Sequence, residues 1–273
     1  MAEGSAQAAR LRVVHEHPAM TVSWAVITGA TRGIGWSVAR RLSQDGFSIV
    51  ATGRDAAALS ALSAEIAKGG GDVRTAVVDL ADPQDVEDFA AGLSADGICI
   101  GALINNAGYV EVFKYAQTPK VAWDQILQVN LHAPLELIRR LHGQMPAGSS
   151  IVNVGSILGI RASKSVTPYV ISKGALHHAT KVLALELSEY GIRVNAVAPG
   201  FIATEMFEHG HTEANKLRIA EAHPLGRVGR SDEIAGAVSF LCSEDASFIT
   251  GVVLPVDGGL SATMIIPDLG GAT

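Results

Sequence analysis

The 273-residue chain has only two cysteines, Cys99 and Cys242. That excludes a disulfide scaffold and points to a reducing compartment, the cytoplasm. No apolar run reaches the roughly 18–20 residues that a membrane-spanning helix needs. The N-terminus carries Glu3 and lacks the apolar core of a secretory leader. There is no Lys/Arg block, and the formal net charge of −6 speaks against nucleic acid as a partner. Linkers rich in Pro and Ser, low-complexity segments and sequence repeats are absent too. No metal-ligand spacing includes the adjacent His177 and His178, and no metal is expected. What remains is 48% hydrophobic and 18% charged, which excludes disorder for most of the chain. A chain of this mass can bury about three quarters of its surface, enough for one large core.

Residues 1–22 show no periodicity and no strand, and Met20 lies near the end of that stretch. They read as a loosely ordered extension. From Trp24 onward, short apolar runs alternate with longer stretches of helical spacing. The runs are 24–28, 47–52, 73–79, 98–105, 149–156, 192–199 and 251–257; the helical stretches are 34–45, 55–68, 83–94, 120–143, 169–190 and 231–242. The runs are rich in Val and Ile and too short for helices, so they read as parallel strands buried on both faces. Asp55, Asp82 with Pro83, and Ser231 read as helix caps. Repeated alternation of this kind predicts an α/β fold, a doubly wound parallel sheet built from right-handed βαβ units in one domain over 23–262. The polar segment 201–226, with His209 and His211, follows a strand end and reads as a lid. Residues 263–273 form a tail.

The first strand runs into Thr28-Gly29-Ala30-Thr31-Arg32-Gly33-Ile34-Gly35. Glycines between a strand and a helix let the backbone approach a pyrophosphate, and the helix N-terminus offers free N–H groups and a positive dipole end. A tight turn with no ligand would use the same glycines, and the spacing differs from G-x-G-x-x-G. The second strand ends in Thr52-Gly53-Arg54-Asp55. An NAD-selective site usually has an acid where Thr52 stands. Arg32 and Arg54 suit a ribose 2′-phosphate instead, and with Asp55 read as a helix cap they favour NADP(H) over NAD(H).

These residues, with Asp79-Leu80, Asn105-Asn106-Ala107-Gly108, Asn130, Ser156, Tyr169-x-x-x-Lys173, Pro199-Gly200 and Asp257-Gly258-Gly259, stand in the order and spacing of a known family. The chain resembles the short-chain dehydrogenases/reductases over essentially all of 23–262. The resemblance implies a Rossmann-like domain of about seven parallel strands, a nicotinamide cofactor and commonly a homotetramer, or else a dimer. It implies that Gly29, Thr31, Arg32, Gly33, Ile34 and Gly35 cradle the cofactor, that Asp79 and Leu80 meet the adenine, and that Asn105, Asn106, Ala107 and Gly108 line the cofactor. It further implies that Pro199, Gly200, Ile202 and Thr204 hold the carboxamide, and that Thr28 is structural.

Tyr169 and Lys173 are four apart, so a helix projects both from one face. Ser156 ends the strand before them. An unperturbed tyrosine titrates near ~10, and a nearby ammonium favours phenolate. The resemblance makes Tyr169 the general acid/base for hydride exchange between a ketone and a secondary alcohol, with Lys173 priming it and bonding the cofactor ribose. It makes Ser156 the donor to the substrate oxygen and Asn130 the holder of a water between Lys173 and solvent.

Leu158, Phe201 and Phe207, with Ser156 and Tyr169, are the expected substrate pocket. Tyr109, Val110, Glu111 and Ile157 border it, and Glu111 is its acidic neighbour. His177 and His178 read as surface or interface residues, His209 and His211 as solvated, and Cys99 and Cys242 as core. The segment 243–259 looks like that of 3-oxoacyl-carrier-protein reductases. The two positions where that subgroup carries arginines for the carrier hold Glu136 and Leu185, with Arg139 and Arg140 expected to face elsewhere. A small free carbonyl or alcohol is therefore the first expectation, and a carrier-bound substrate the alternative. A non-catalytic dinucleotide sensor is the reading from a different class.

Overall fold

The computed structural model describes residues 23–210 and 212–263. The expected N-terminal extension, the C-terminal tail from residue 264 and His211 lie outside the described residues. Seven strands form one sheet: β1 (Trp24–Ile27), β2 (Ser48–Gly53), β3 (Val73–Val77), β4 (Ile100–Asn105), β5 (Ser150–Val154), β6 (Arg193–Pro199) and β7 (Val253–Val256). Every neighbouring pair is parallel, in the order β3-β2-β1-β4-β5-β6-β7. The order reverses between β1 and β4, which opens a crevice beyond the strands' C-terminal ends.

Alternation along β1 shows how the sheet is covered. Ala25 and Ile27 point into one apolar layer, with Val38 and Leu42 of α1 (Gly33–Gln44), Leu59 and Leu62 of α2 (Ala56–Lys68), and Ile234 and Val238 of the helix over Ser231–Cys242. Val26 points into the other, with Val86 and Leu93 of α3 (Pro83–Ala95), Leu137 and Ile138 of the helix over Ala133–Leu141, and Ala184. Val38 and Leu42 sit four apart, so one stripe of α1 meets the sheet. Burial on both faces holds for β2 and β5 but not for the outer strands. β3, at one edge, exposes Arg74, Thr75 and Val77, and β7, at the other, is only half-buried. An edge strand lacks a neighbour on one side, and its covering helix reaches only part of it.

The helical stretch 120–143 is not one helix. It comprises α4 (Lys120–Leu127), a π turn over Gln128–His132, α5 (Ala133–Leu141) and a short 3₁₀ turn. A π turn inserts one residue into the helix and rotates the segment C-terminal to it. Next comes α6 (Thr167–Glu186). The expected lid segment holds α7 (Glu205–Gly210) and α8 (Glu213–Ala222), and α9 (Ser231–Cys242) completes the helices around the sheet. Asp55 caps α2 by accepting from the Ala58 N–H at 3.0 Å, and Asp82 caps α3 through Gln84 at 2.9 Å. Ser231 is not a cap. It is the first helical residue, Arg230 precedes the helix, and Glu233 reaches back to the Arg230 N–H at 2.7 Å. Cys99 and Cys242 are both half-buried; Cys242 packs against the core as expected, and burial pushes its thiol up to about 12. No helix among the described residues is long and apolar enough to cross a membrane.

Candidate active site

The C-terminal ends of the strands open into one cavity of about 740 Å³, within the size range of small-molecule sites. It runs from the glycine loop after β1 to the loops after β5 and β6. Every expected cofactor and substrate residue of the glycine loop, the strand ends and the lid lines it except Asn105, and Asn130 is the one member of the expected catalytic set that does not.

The dinucleotide end is a cradle that side chains would fill. Gly29 and Gly33 have φ of +66° and +56°, where an L side chain is strained. A Cβ on Gly35 would lie 2.2 Å from the Gly29 carbonyl oxygen. Thr28 ties the loop to the NNAG turn: its hydroxyl accepts from the Asn106 and Ala107 N–H groups at 3.0 and 3.1 Å. The Asn106 amide donates to the Thr28 and Gly29 carbonyls at 2.9 and 3.0 Å. Asn105 is instead buried in β4, where it donates to Asn153 at 2.9 Å, and Asn153 in turn donates to Thr180 at 2.9 Å. At the end of β2, Thr52 is buried, Arg54 is exposed and the Asp55 carboxylate is engaged in its cap. Arg32 meets Glu205 of α7 at 3.6 Å, with both side chains well exposed. The backbone cradle, the start of a twelve-residue helix and two guanidinium groups fit a phosphorylated dinucleotide.

At the other end, α6 brings Tyr169 and Lys173 beneath the end of β5. Tyr169 is half-buried with its hydroxyl at the enclosed end, hydrogen-bonded to Ser156. The Ser156 oxygen also accepts from the Leu158 N–H at 3.1 Å. The Lys173 ammonium is buried, donates to the Val154 carbonyl at 2.8 Å and lies 5.8 Å from the Tyr169 ring centre. Burial holds Lys173 down at about 8. Tyr169 departs from the expected acidification: burial raises its pKa, and the Ser156 hydrogen bond only partly opposes that.

Asn130 is fully buried in the π turn. Its amide oxygen accepts from the Tyr109 N–H at 2.8 Å, and its nitrogen donates to the Tyr109 carbonyl at 2.9 Å and the Ser172 hydroxyl at 3.1 Å. Its side chain thus ties the loop after β4 to α6. Leu158, Phe201 and Phe207 face the cavity, and Phe201 and Phe207 meet edge to face at 6.2 Å. Glu111 lies outside the lining and accepts from the Tyr109 hydroxyl. Val112, Lys164 and Val166 also line the cavity. They lie in loops without periodicity, and nothing in the sequence singled them out. His177 is buried rather than at a surface, and His178 and His209 are exposed.

Residues 29–261 match the family model described as Enoyl-(Acyl carrier protein) reductase. The chain is 34% identical over 243 residues to gluconate 5-dehydrogenase of Gluconobacter oxydans, covering 88% of this chain and 95% of that one. The chain belongs to the short-chain dehydrogenase/reductase family. It is likewise 35% identical over 238 residues to the 3-oxoacyl-[acyl-carrier-protein] reductase of Haemophilus influenzae, covering 86% of this chain and 97% of that protein. Among solved structures, a blue fluorescent protein from a metagenomic library in complex with NADPH superposes with a TM-score of 0.82. It is 33% identical, and the match covers 87% of this chain and 97% of that one. This short-chain dehydrogenase/reductase is an oxidoreductase of carbonyl and alcohol groups that uses a nicotinamide dinucleotide.

Proposed function

We propose that this short-chain dehydrogenase/reductase interconverts a small ketone and its secondary alcohol, with NADP(H) preferred over NAD(H). One observation carries the reading: Ser156, Tyr169 and Lys173 converge at the end of β5, in the same cavity as the glycine cradle. The bound coenzyme supplies or accepts the hydride. Tyr169 gives its proton to the oxygen of the nascent alcohol, and burial suits it to that acid role because the phenol stays protonated at neutral pH. Ser156 orients the carbonyl oxygen by hydrogen bonding. Lys173 places a positive charge near the phenol. Arg32 and Arg54 meet the 2′-phosphate, while Asp79 and Leu80 flank the adenine. Leu158, Phe201 and Phe207 favour a substrate with an apolar flank, and α7 and α8 close over it as a lid.

A free substrate is favoured over a carrier-bound one. Arg139 and Arg140 both bond Glu136 on α5, and Arg140 also meets Glu87 at 2.8 Å, so these cations are already engaged. We further propose a cytoplasmic homotetramer, supported by exposed apolar residues in two places: Val121, Val182 and Leu185 on α4 and α6, and Phe240 and Phe248 by α9. NADPH consumption measured across a panel of ketones tests the activity. Tyr169→Phe should lower turnover to the limit of detection while NADPH still binds; substantial turnover in that variant would defeat the assignment.

A further inference from the structure

Tyr169, Lys173 and His177 stand four residues apart on one stripe of α6. The proposed reaction uses the first two. His177 is only 6% exposed, and its ring fills a slot left by Gly155 and Gly159, the glycines on either side of Ser156 and its turn. A Cβ on Gly155 would lie 2.0 Å from the His177 Nε2, and one on Gly159 would lie 2.6 Å from Cε1 and 2.7 Å from Nδ1. The Nε2 atom accepts a long hydrogen bond, 3.4 Å, from the Ser156 N–H. The ring also hydrogen-bonds the Gly159 backbone. A neutral imidazole that accepts at one nitrogen carries its hydrogen on the other, which leaves Nδ1–H as the donor for the Gly159 backbone. One ring thus spans both ends of the turn that presents Ser156.

We propose that His177 is a positioning residue that acts through Ser156, stapling the 155–159 turn so that the serine hydroxyl stands between Tyr169 and the substrate oxygen. The proposal rests on the oxidoreductase reading. Three features support it. Among the described residues the Ser156 hydroxyl bonds only the Leu158 N–H and Tyr169, so its position follows the backbone that His177 holds. Losing the ring acceptor would leave a buried Ser156 N–H unpaired, which the turn can relieve only by moving. Burial first, then the charge of Lys173, holds the imidazole down at about 4, so the neutral staple persists through the neutral range.

The test compares His177→Leu, which removes both bonds, with His177→Gln, which restores an acceptor and a donor. In His177→Leu, kcat for ketone reduction should fall by about 100-fold, the loss that a small misplacement of a reacting group produces. KM and the NADPH Kd should stay within about two-fold of wild type. His177→Gln should recover most of kcat even if its Tm remains low. A kcat in His177→Leu within two-fold of wild type would overturn the proposal. So would equal losses in both variants that track Tm, because that is the pattern of packing alone. Should His177→Leu fail to fold, His177→Gln and NMR of the wild-type imidazole nitrogens decide. A bare Nε2 with a proton on Nδ1 supports the staple, and the opposite tautomer overturns it. If wild-type protein reduces no ketone, the oxidoreductase reading fails instead, and the NMR result still decides the staple.

Discussion

Lys173 is a cation in the wrong solvent. Its ammonium is buried, bonded to a carbonyl and pushed down to about 8 from the usual 10.5. Native protein therefore binds the proton less tightly than unfolded chain does, and keeping Lys173 charged at neutral pH destabilises the fold by about 3 kcal/mol. Stability should rise with pH between about 8 and 10.5 as that penalty is relieved. Lys173→Met should raise Tm at pH 7 while abolishing turnover, as calorimetry and NADPH oxidation would show; a lower Tm would refute the account. At the opposite end of the cavity, Arg32→Ala and Arg54→Ala should each raise KM for NADPH by about 10-fold, worth roughly 1.4 kcal/mol, and leave KM for NADH unchanged. Steady-state kinetics with both coenzymes checks this, and equal effects on the two would remove the claimed preference. Single residues were legible where chemistry restricts the choice of side chain, as at Tyr169, Lys173 and the glycine loop. His177 was not. A histidine on a helix says nothing about glycines on another element, although its spacing of four from Lys173 was a usable signal.

At the scale of elements, caps and ion pairs decide more than propensity. Glu233 lies in the first turn of α9, where Arg227 grips it through two bonds of 2.9 and 2.6 Å and the Arg230 N–H donates at 2.7 Å. The Arg227 bonds first, then the Arg230 N–H, hold its carboxyl at about 2 instead of 4.5. A lowered carboxyl pKa stabilises the fold above pH 4.5, and that contribution fades as pH falls toward 2. Because the pair is partly exposed, Glu233→Gln should lose about 1 kcal/mol at pH 7, or roughly 2–4 °C in Tm. The gap to wild type should close in thermal melts near pH 2; a gap independent of pH would count against the ion pair. Asp55 and Asp82 were readable as caps because a carboxylate before an apolar stripe has few other uses. Ser231 misled for the same reason: Glu233 already serves the helix start from inside. The π turn at Gln128–His132 left no mark in the periodicity, since one inserted residue shifts the pattern by less than a short helix can reveal.

For the whole molecule, the seven strands and their alternation with helices were legible because Val- and Ile-rich runs recur at regular intervals. The exposure of β3 was not, because position within a sheet is set by strand order rather than by any one strand. Assembly belongs to this scale as well. A homotetramer of dihedral symmetry needs two kinds of contact, and Leu185 on α6 and Phe248 after α9 are exposed apolar residues on separate elements. Leu185→Glu and Phe248→Glu should each reduce the mass in light scattering from tetramer to dimer, and the double variant should give monomer. A monomeric wild-type protein would end that proposal.

The amide chain from Asn105 through Asn153 to Thr180 runs through the centre of the sheet, linking β4, β5 and α6. Apolar strands in the middle of a parallel sheet could slide past one another with little penalty, since one valine replaces another. A one-residue slip of β4 on β5 would break the Asn105–Asn153 bond and leave more amide groups without partners in a dry interior, where the Asn105 oxygen already lacks one. The chain thus acts as an index mark between the halves of the molecule, fixing how far the glycine cradle stands from the serine turn. A coenzyme of fixed length has to bridge that interval.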